Sequence, residues 1–261
     1  RPHSLALVIW ELYHTHLIEI YFPRFQELRY HQADVGWHRY AVGMHLMVTW
    51  DRLERLADDT ADETQPIRSA LRKIRNMPKA ITMVRLLAIL HDFGKGLDSP
   101  FGKSHSERGS EDIAPPIFEQ MKFFRQEDIE TICWLIRYHM SFNYYARTST
   151  YSTAALNRTI EGILEITHDR SLISALYVFS MADILGVEPY ASDSRMKDND
   201  LRNISIRNSD YHLGMLAKLD KLYRSLSRVL RRAGSVEESV AKFMDKANRM
   251  LDDRRKELIK R

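Results

Sequence analysis

Apolar residues recur along this chain mostly at three- and four-residue spacing, and only 10 Gly and 8 Pro punctuate its 261 residues. That pattern predicts a mainly helical protein. Ser4 to Tyr21 reads as one amphipathic helix ending before Pro23. A second helix is predicted from about Trp37 through Arg55, with Tyr40, Met44, Met47 and Val48 on its apolar side and His45 on the same region of its surface. The acidic stretch Asp58-Asp59-Thr60-Ala61-Asp62-Glu63 reads as a solvated loop. A third helix follows Pro78, carries the run Val84-Arg85-Leu86-Leu87-Ala88-Ile89-Leu90, and ends at Gly94 and Gly96. After a loop containing Pro100 and Gly102, Ser104 and Glu107 have capping-box spacing for the next helix, which breaks or restarts at Pro115-Pro116. Further helices are predicted over Glu127–Met140, Ser152–Ile166 and Ser171–Leu185. The polar segment Glu188–Ser205 reads as a loop, and Tyr211–Ala233 and Val236–Lys260 as two final helices parted at Gly234-Ser235. The pattern contains no internal repeat, low-complexity tract or strand-rich block. The expected architecture is an all-α bundle over residues 1–187. A helical extension over 188–261 packs on it or continues it.

Composition narrows the function classes. With 44% hydrophobic residues the chain can bury one sizeable core or two small ones. A formal net charge of +4 permits an anionic substrate without demanding nucleic acid. The single cysteine, Cys133, excludes an internal disulfide framework and a thiolate-rich zinc site, and suits a reducing cytoplasm. The apolar stretch Leu5–Tyr21 carries Glu11, His14, His16 and Glu19, so it is neither a membrane span nor a signal peptide. The sequence opens on Arg1 rather than Met, which suits a piece of a longer protein. The apolar first helix or the final helices offer a surface for a second copy, so a homo-oligomer is open.

The informative chemistry begins at His91-Asp92. An imidazole and a carboxylate stand side by side at the end of a strongly apolar run, where an ionisable pair is costly unless something such as a divalent cation compensates it. Comparable residues recur along the chain. His45 lies within a helix, His105 opens one, and His139 ends the apolar run Ile132-Cys133-Trp134-Leu135-Ile136. Asp183 follows Tyr177-Val178-Phe179-Ser180-Met181-Ala182. Any one of these is ordinarily a hydrogen-bonded core residue; six together point to a metal centre.

The order H…HD…H…H…D resembles that of the HD-domain metal-dependent phosphohydrolases, which are all-helical. The nearest resemblance is to the HD domain of bacterial PII uridylyltransferase/uridylyl-removing enzymes. Three stretches carry it. The first is Tyr21-Phe22-Pro23-Arg24-Phe25 with His38-Arg39-Tyr40-Ala41-Val42-Gly43-Met44-His45. The second is His91-Asp92-Phe93-Gly94-Lys95-Gly96 with Ser104-His105-Ser106-Glu107-Arg108-Gly109. The third is Trp134-Leu135-Ile136-Arg137-Tyr138-His139 with Met181-Ala182-Asp183-Ile184. Gly43-Met44 depart from the family, which usually has acidic residues before its first histidine. The nucleotidyltransferase and ligand-sensing domains that flank the domain in those enzymes do not occur in this sequence.

Histidine and aspartate ligands without thiolate suit Mn, Fe, Co, Ni, Zn or Mg, with the imidazoles favouring a transition metal. His45, His91, Asp92 and Asp183 complete a site for one ion. Adding His105 and His139 provides donors for two, with Asp92 as the bridging carboxylate. The resulting expectation is a phosphohydrolase or phosphodiesterase that cleaves a phosphoester with metal-activated water. Its substrate is a phosphorylated small molecule, such as a nucleotide, or a nucleotidylated protein. Asp92 and Lys95 are the catalytic candidates. Lys95 and Arg147 are the candidate phosphate contacts. Two alternatives stand beside this: a cyclic-dinucleotide phosphodiesterase, which the missing Gly-Tyr-Pro signature disfavours, and a regulatory module that keeps a metal for stability. His38 is either a partner of a ligand or a helix-start residue. His14, His16, His31, His168 and His212 are expected to take no part in the chemistry. Cys133 is expected to be inert packing, Lys103 a solvated loop lysine, and the basic residues Arg228, Arg231 and Arg232 a solvated helix face.

Overall fold

The computed structural model describes residues 4–32, 41–58, 65–75, 80–96, 103–122, 124–147, 152–187 and 214–234. The described residues form helices and turns with no strand, so the protein is all-α. The chain divides into two compact units, residues 1–223 and 224–261. Within the first lie α1 (Ser4–His14), α2 (Ile18–Tyr21), α3 (Phe25–Leu28), α4 (Val42–Asp58), α5 (Gln65–Arg75) and α6 (Ala80–Leu90). They are followed by α7 (His105–Arg108), a π-helical segment (Gly109–Ile113), α8 (Ala114–Met121), α9 (Gln126–Tyr138), α10 (Met140–Arg147), α11 (Thr153–Ile166) and α12 (Arg170–Gly186). Residues 214–223 are also helical in this unit. In the second unit, residues 224–234 are helical.

α12 is the centre of the first unit. Every residue from Ile173 through Gly186 is buried, as expected of a helix apolar on all sides. It packs on α4, α5, α6, α9 and α10. Asp169 caps its start by accepting from the Ser171 and Leu172 amides. α6 buries Met83, Val84, Leu87 and Ala88 at helical spacing, then Ile89 and Leu90, so its C-terminal end is driven into the core. On its outer side Arg85 forms a bidentate pair with Glu54 of α4, at 2.6 and 2.7 Å. This clamp fixes the two helices that bring His45 and His91-Asp92 together.

Several expected elements form as read. Ser104 and Glu107 make a capping box at the start of α7, and Ser152 caps α11. Pro115-Pro116 do not terminate the chain's helical course; a π-helical segment precedes them and α8 restarts there, its first turn tolerating proline. Others differ. The single helix expected over Ser4–Tyr21 is two, α1 and α2, because His16 adopts a left-handed backbone (φ 60). α4 begins at Val42, which places His45 in its first turn rather than mid-helix. α9 stops at Tyr138 and α10 begins at Met140, so His139 sits at a corner between two helices. Gly96, at φ +74, takes the left-handed conformation that ends the turn after α6. His38, His212, the acidic stretch beyond Asp58, the loop 188–205 and the helix over 236–260 lie outside the described residues.

Candidate metal centre

Five separate elements deliver the ligand candidates to one place. His45 comes from the first turn of α4, His91 and Asp92 from the turn after α6, His139 from the α9–α10 corner, and Asp183 from the last turns of α12. All five are buried, and His105, at the start of α7, is partly exposed. His45, His91 and Asp92 offer ligand atoms within 4.8 Å of one another, as do Asp92, His105 and His139. Asp92 belongs to both groups through different oxygens. Its Oδ2 lies 3.4 Å from His91 Nε2, and its Oδ1 lies 3.5 Å from His105 Nε2. Asp183 Oδ1 lies 2.9 Å from His45 Nε2 and 3.5 Å from His91 Nε2, so it joins the first group.

The hydrogen bonds behind the rings decide what these atoms can do. His91 Nδ1 reaches Ala88 O at 3.1 Å, His139 Nδ1 reaches Ile136 O at 2.7 Å, and His45 Nδ1 reaches Gly186 O at 3.3 Å. A carbonyl only accepts, so each Nδ1 carries a proton and each Nε2 is turned to the interior, where it can serve as a metal ligand. The Nε2 atoms of His45 and His91 face each other 3.3 Å apart, and His139 Nε2 faces His105 Nε2 at the same distance. They also face two carboxylates. Acceptors aimed at acceptors in a buried space repel unless a cation lies among them. The residues present therefore fit a divalent metal.

The acid–base behaviour of the bare cluster agrees. Burial opposes a charge on His91, but Asp92 and Asp183 outweigh it and raise its pKa to about 9. Burial, reinforced by His91, takes His139 down to about 3. Burial would raise Asp92, yet Lys95 and His91 hold it well below the usual carboxylate range. Asp183 is likewise held low against burial by His45 and His91. A proton on His91 thus compensates part of the carboxylate charge. A divalent ion does the same for the whole donor set.

Other residues fix this geometry without belonging to the expected set. Arg24 donates from Nε to Phe93 O at 2.6 Å and from Nη2 to Lys95 O at 2.8 Å, which ties down the turn that carries Asp92. Asn143 of α10, fully buried, donates from Nδ2 to Asp183 Oδ2 and orients that carboxylate. Replacing Asn143 with alanine is expected to weaken metal affinity by about 10–100-fold while the helical fold persists. A metal titration followed by circular dichroism checks this, and unchanged affinity would remove Asn143 from the centre.

A cavity of about 500 Å³ opens onto the cluster, lined by His91, Asp92, His105, His139 and Asp183. Lys95 and Arg147 line it too. Lys95 Nζ also donates to Asp92 Oδ2 at 2.6 Å. Lys103 is on the rim, paired at 3.1 Å with both Glu111 and Asp112. His31, expected to be idle, is a lining residue, brought there by its packing against the turn at Gly96. His14, His16 and His168 are exposed, as are Arg228, Arg231 and Arg232. Burial pushes the Cys133 thiol up to about 11, so it is a poor nucleophile and a poor ligand. No helix among the described residues is long and apolar enough to cross a membrane.

Similar proteins are consistent with this centre. The chain is 28% identical over 153 residues to a protein named bifunctional uridylyltransferase/uridylyl-removing enzyme of Legionella pneumophila (strain Lens), an overlap covering 58% of this chain and 16% of that one. Proteins of the same name match from Chromobacterium violaceum, at 23% identity over 83% of this chain and 22% of the relative, and from Bradyrhizobium sp. (strain ORS 278), at 29% over 59% and 15%. The chain thus spans less than a quarter of the length of these curated relatives. The sequence pattern of the HD domain matches residues 42–176, which include His45, His91, Asp92, His105 and His139 and make up more than half of the chain. With that match and the histidine–aspartate cluster it encloses, the chain belongs to the HD domain family.

Proposed function

We propose that this protein is a divalent-metal-dependent phosphohydrolase that cleaves a phosphoester of a nucleotide or nucleotidylated substrate. One observation carries the reading: four imidazoles and two carboxylates turn ligand atoms toward a shared space beside an open, cation-lined cavity. His45, His91, Asp92 and Asp183 would hold one ion. Asp92, His105 and His139 would hold a second. A divalent ion so held acidifies water and polarises a phosphoryl oxygen.

The remaining chemistry belongs to the chain's own groups. Hydrolysis forms one P–O bond to the oxygen of water and breaks the ester P–O bond, and the departing oxygen takes up a proton. Lys95, bonded to Asp92 and lining the cavity, holds that carboxylate in place and offers a positive charge to the phosphoryl oxygens. Arg147 has a guanidinium fork suited to bidentate phosphate binding from the adjoining wall. The name carried by the relatives includes removal of a uridylyl group, and this supports a phosphoester of a nucleotide as the bond that reacts.

The test is metal content by elemental analysis together with turnover of bis-p-nitrophenyl phosphate. Bound transition metal with metal-dependent release of p-nitrophenol is expected. Bound metal with no turnover on this or any nucleotide ester would favour the metal-retaining regulatory module instead.

A further inference from the structure

Charge around the cavity is lopsided. Among the described residues, Lys95, Lys103, Arg108 and Arg147 all line it, whereas the lining carboxylates are Asp92 and Asp183, and both face the imidazole cluster. Any divalent ion held by that cluster adds further positive charge. A singly charged phosphodiester is a poor electrostatic match for such a wall, and a more highly charged anion is a good one.

The cations also form two groups by position. Lys95 belongs to the Asp92 turn, where its ammonium bonds the carboxylate. Arg108 follows His105 by three residues on α7, so it lies on the same helix face one turn along. Lys103 stands two residues before His105 on the other side of the cap. Its acidic partners Glu111 and Asp112 are exposed and are not lining residues. Guanidinium is the side-chain group best matched to phosphoryl oxygens.

We infer that the Lys103–Arg108 wall is a second anion subsite, so that the substrate is a small nucleotide bearing another phosphoryl group besides the one that reacts. The inference rests on the phosphohydrolase reading of the cavity, whose volume of about 500 Å³ is that of a small-molecule site. It selects the nucleotide over the nucleotidylated protein, whose linking phosphodiester carries a single charge.

Equilibrium binding of uridine 5′-diphosphate and uridine 5′-monophosphate to the manganese-loaded full chain tests it, measured by calorimetry with Arg108→Gln and Arg108→Lys alongside. Bound metal per chain is determined for each protein to establish that the centre has formed. The diphosphate is expected to bind about tenfold more tightly than the monophosphate, the worth of one charge-assisted hydrogen bond. Arg108→Gln should remove most of that preference and Arg108→Lys should keep part of it. Should Arg108→Gln lose metal, Lys103→Gln is read in its place, with a reduced preference expected. Equal affinity for the two nucleotides, or a preference that survives Arg108→Gln with metal intact, overturns the inference. A protein that keeps the preference but hydrolyses nothing overturns the hydrolase reading and leaves the subsite standing. Turnover without the preference does the reverse.

Discussion

Replacing Asp92 with alanine is expected to abolish metal uptake and to take phosphoester hydrolysis below detection. Asp92 is the residue shared by both potential ligand groups, with one oxygen toward His91 and the other toward His105. Its loss therefore dismantles both groups, where loss of His45 or His139 would damage one. The folded protein should also suffer. Asp92 is the buried partner of Lys95 and the neighbour of several imidazoles, and removing one member of a buried charged pair costs about 3–5 kcal/mol. The lower end applies, because Lys95 is partly exposed and can turn toward water. Asp92→Asn separates the two effects, since it keeps the shape and removes the charge. It should fold better than the alanine variant and still bind no metal. Elemental analysis, thermal melting and turnover check all three points. A full metal complement in either variant counts decisively against the centre.

Gly94→Ala should be nearly as damaging, although Gly94 carries no functional group. A Cβ there would stand 1.9 Å from the carbonyl oxygen of His105 and 2.7 Å from its carbonyl carbon. These are backbone atoms, so no rotamer change can relieve the contact, and the Asp92 turn and the start of α7 must move apart. That movement separates Asp92 from His105, the contact on which the second ligand group depends. Overpacking of this kind costs about 1–3 kcal/mol, and displacement of a reacting group by about 1 Å costs on the order of a hundredfold in rate. The expected result is a melting temperature lowered by a measurable step and turnover reduced about a hundredfold. His45, His91 and Asp183 should still retain metal, since the clash to be relieved is with the His105 backbone. Turnover equal to that of the unaltered protein would show that the close approach is dispensable.

How far this centre was legible beforehand differs from residue to residue. His91-Asp92 stood out because a titratable pair closes an apolar run, and Asp183 because it interrupts another. The cap at Ser104 was legible because its partner Glu107 is three residues away and the two groups satisfy each other locally. Arg24 and Asn143 could not be found this way. Arg24 bonds carbonyls 69 and 71 positions further on, and Asn143 bonds an aspartate 40 positions further on. Neither sits in an anomalous context on its own helix. His31 gives no local signal either, since its place on the cavity wall depends on the turn at Gly96. The division between α1 and α2 rests on a single left-handed histidine, a conformation for which glycine or asparagine is the usual signal. The corner at His139 was hidden by an apolar pattern that runs on without a glycine or proline to stop it.

By itself, then, the sequence determined the all-helical class, the start of most helices, and a set of histidines and aspartates suited to a divalent ion. Those properties follow from periodicity, capping and residue chemistry, which act over a few positions. The tertiary structure alone decided which of the 11 histidines meet, how Asp92 is placed between two ligand groups, and which cations face the cavity. These outcomes depend on the burial of α12 against α4, α6, α9 and α10, and on the Glu54–Arg85 clamp. The physical reason is that ligand geometry is set by contacts between segments far apart in the chain, and no local rule carries that information.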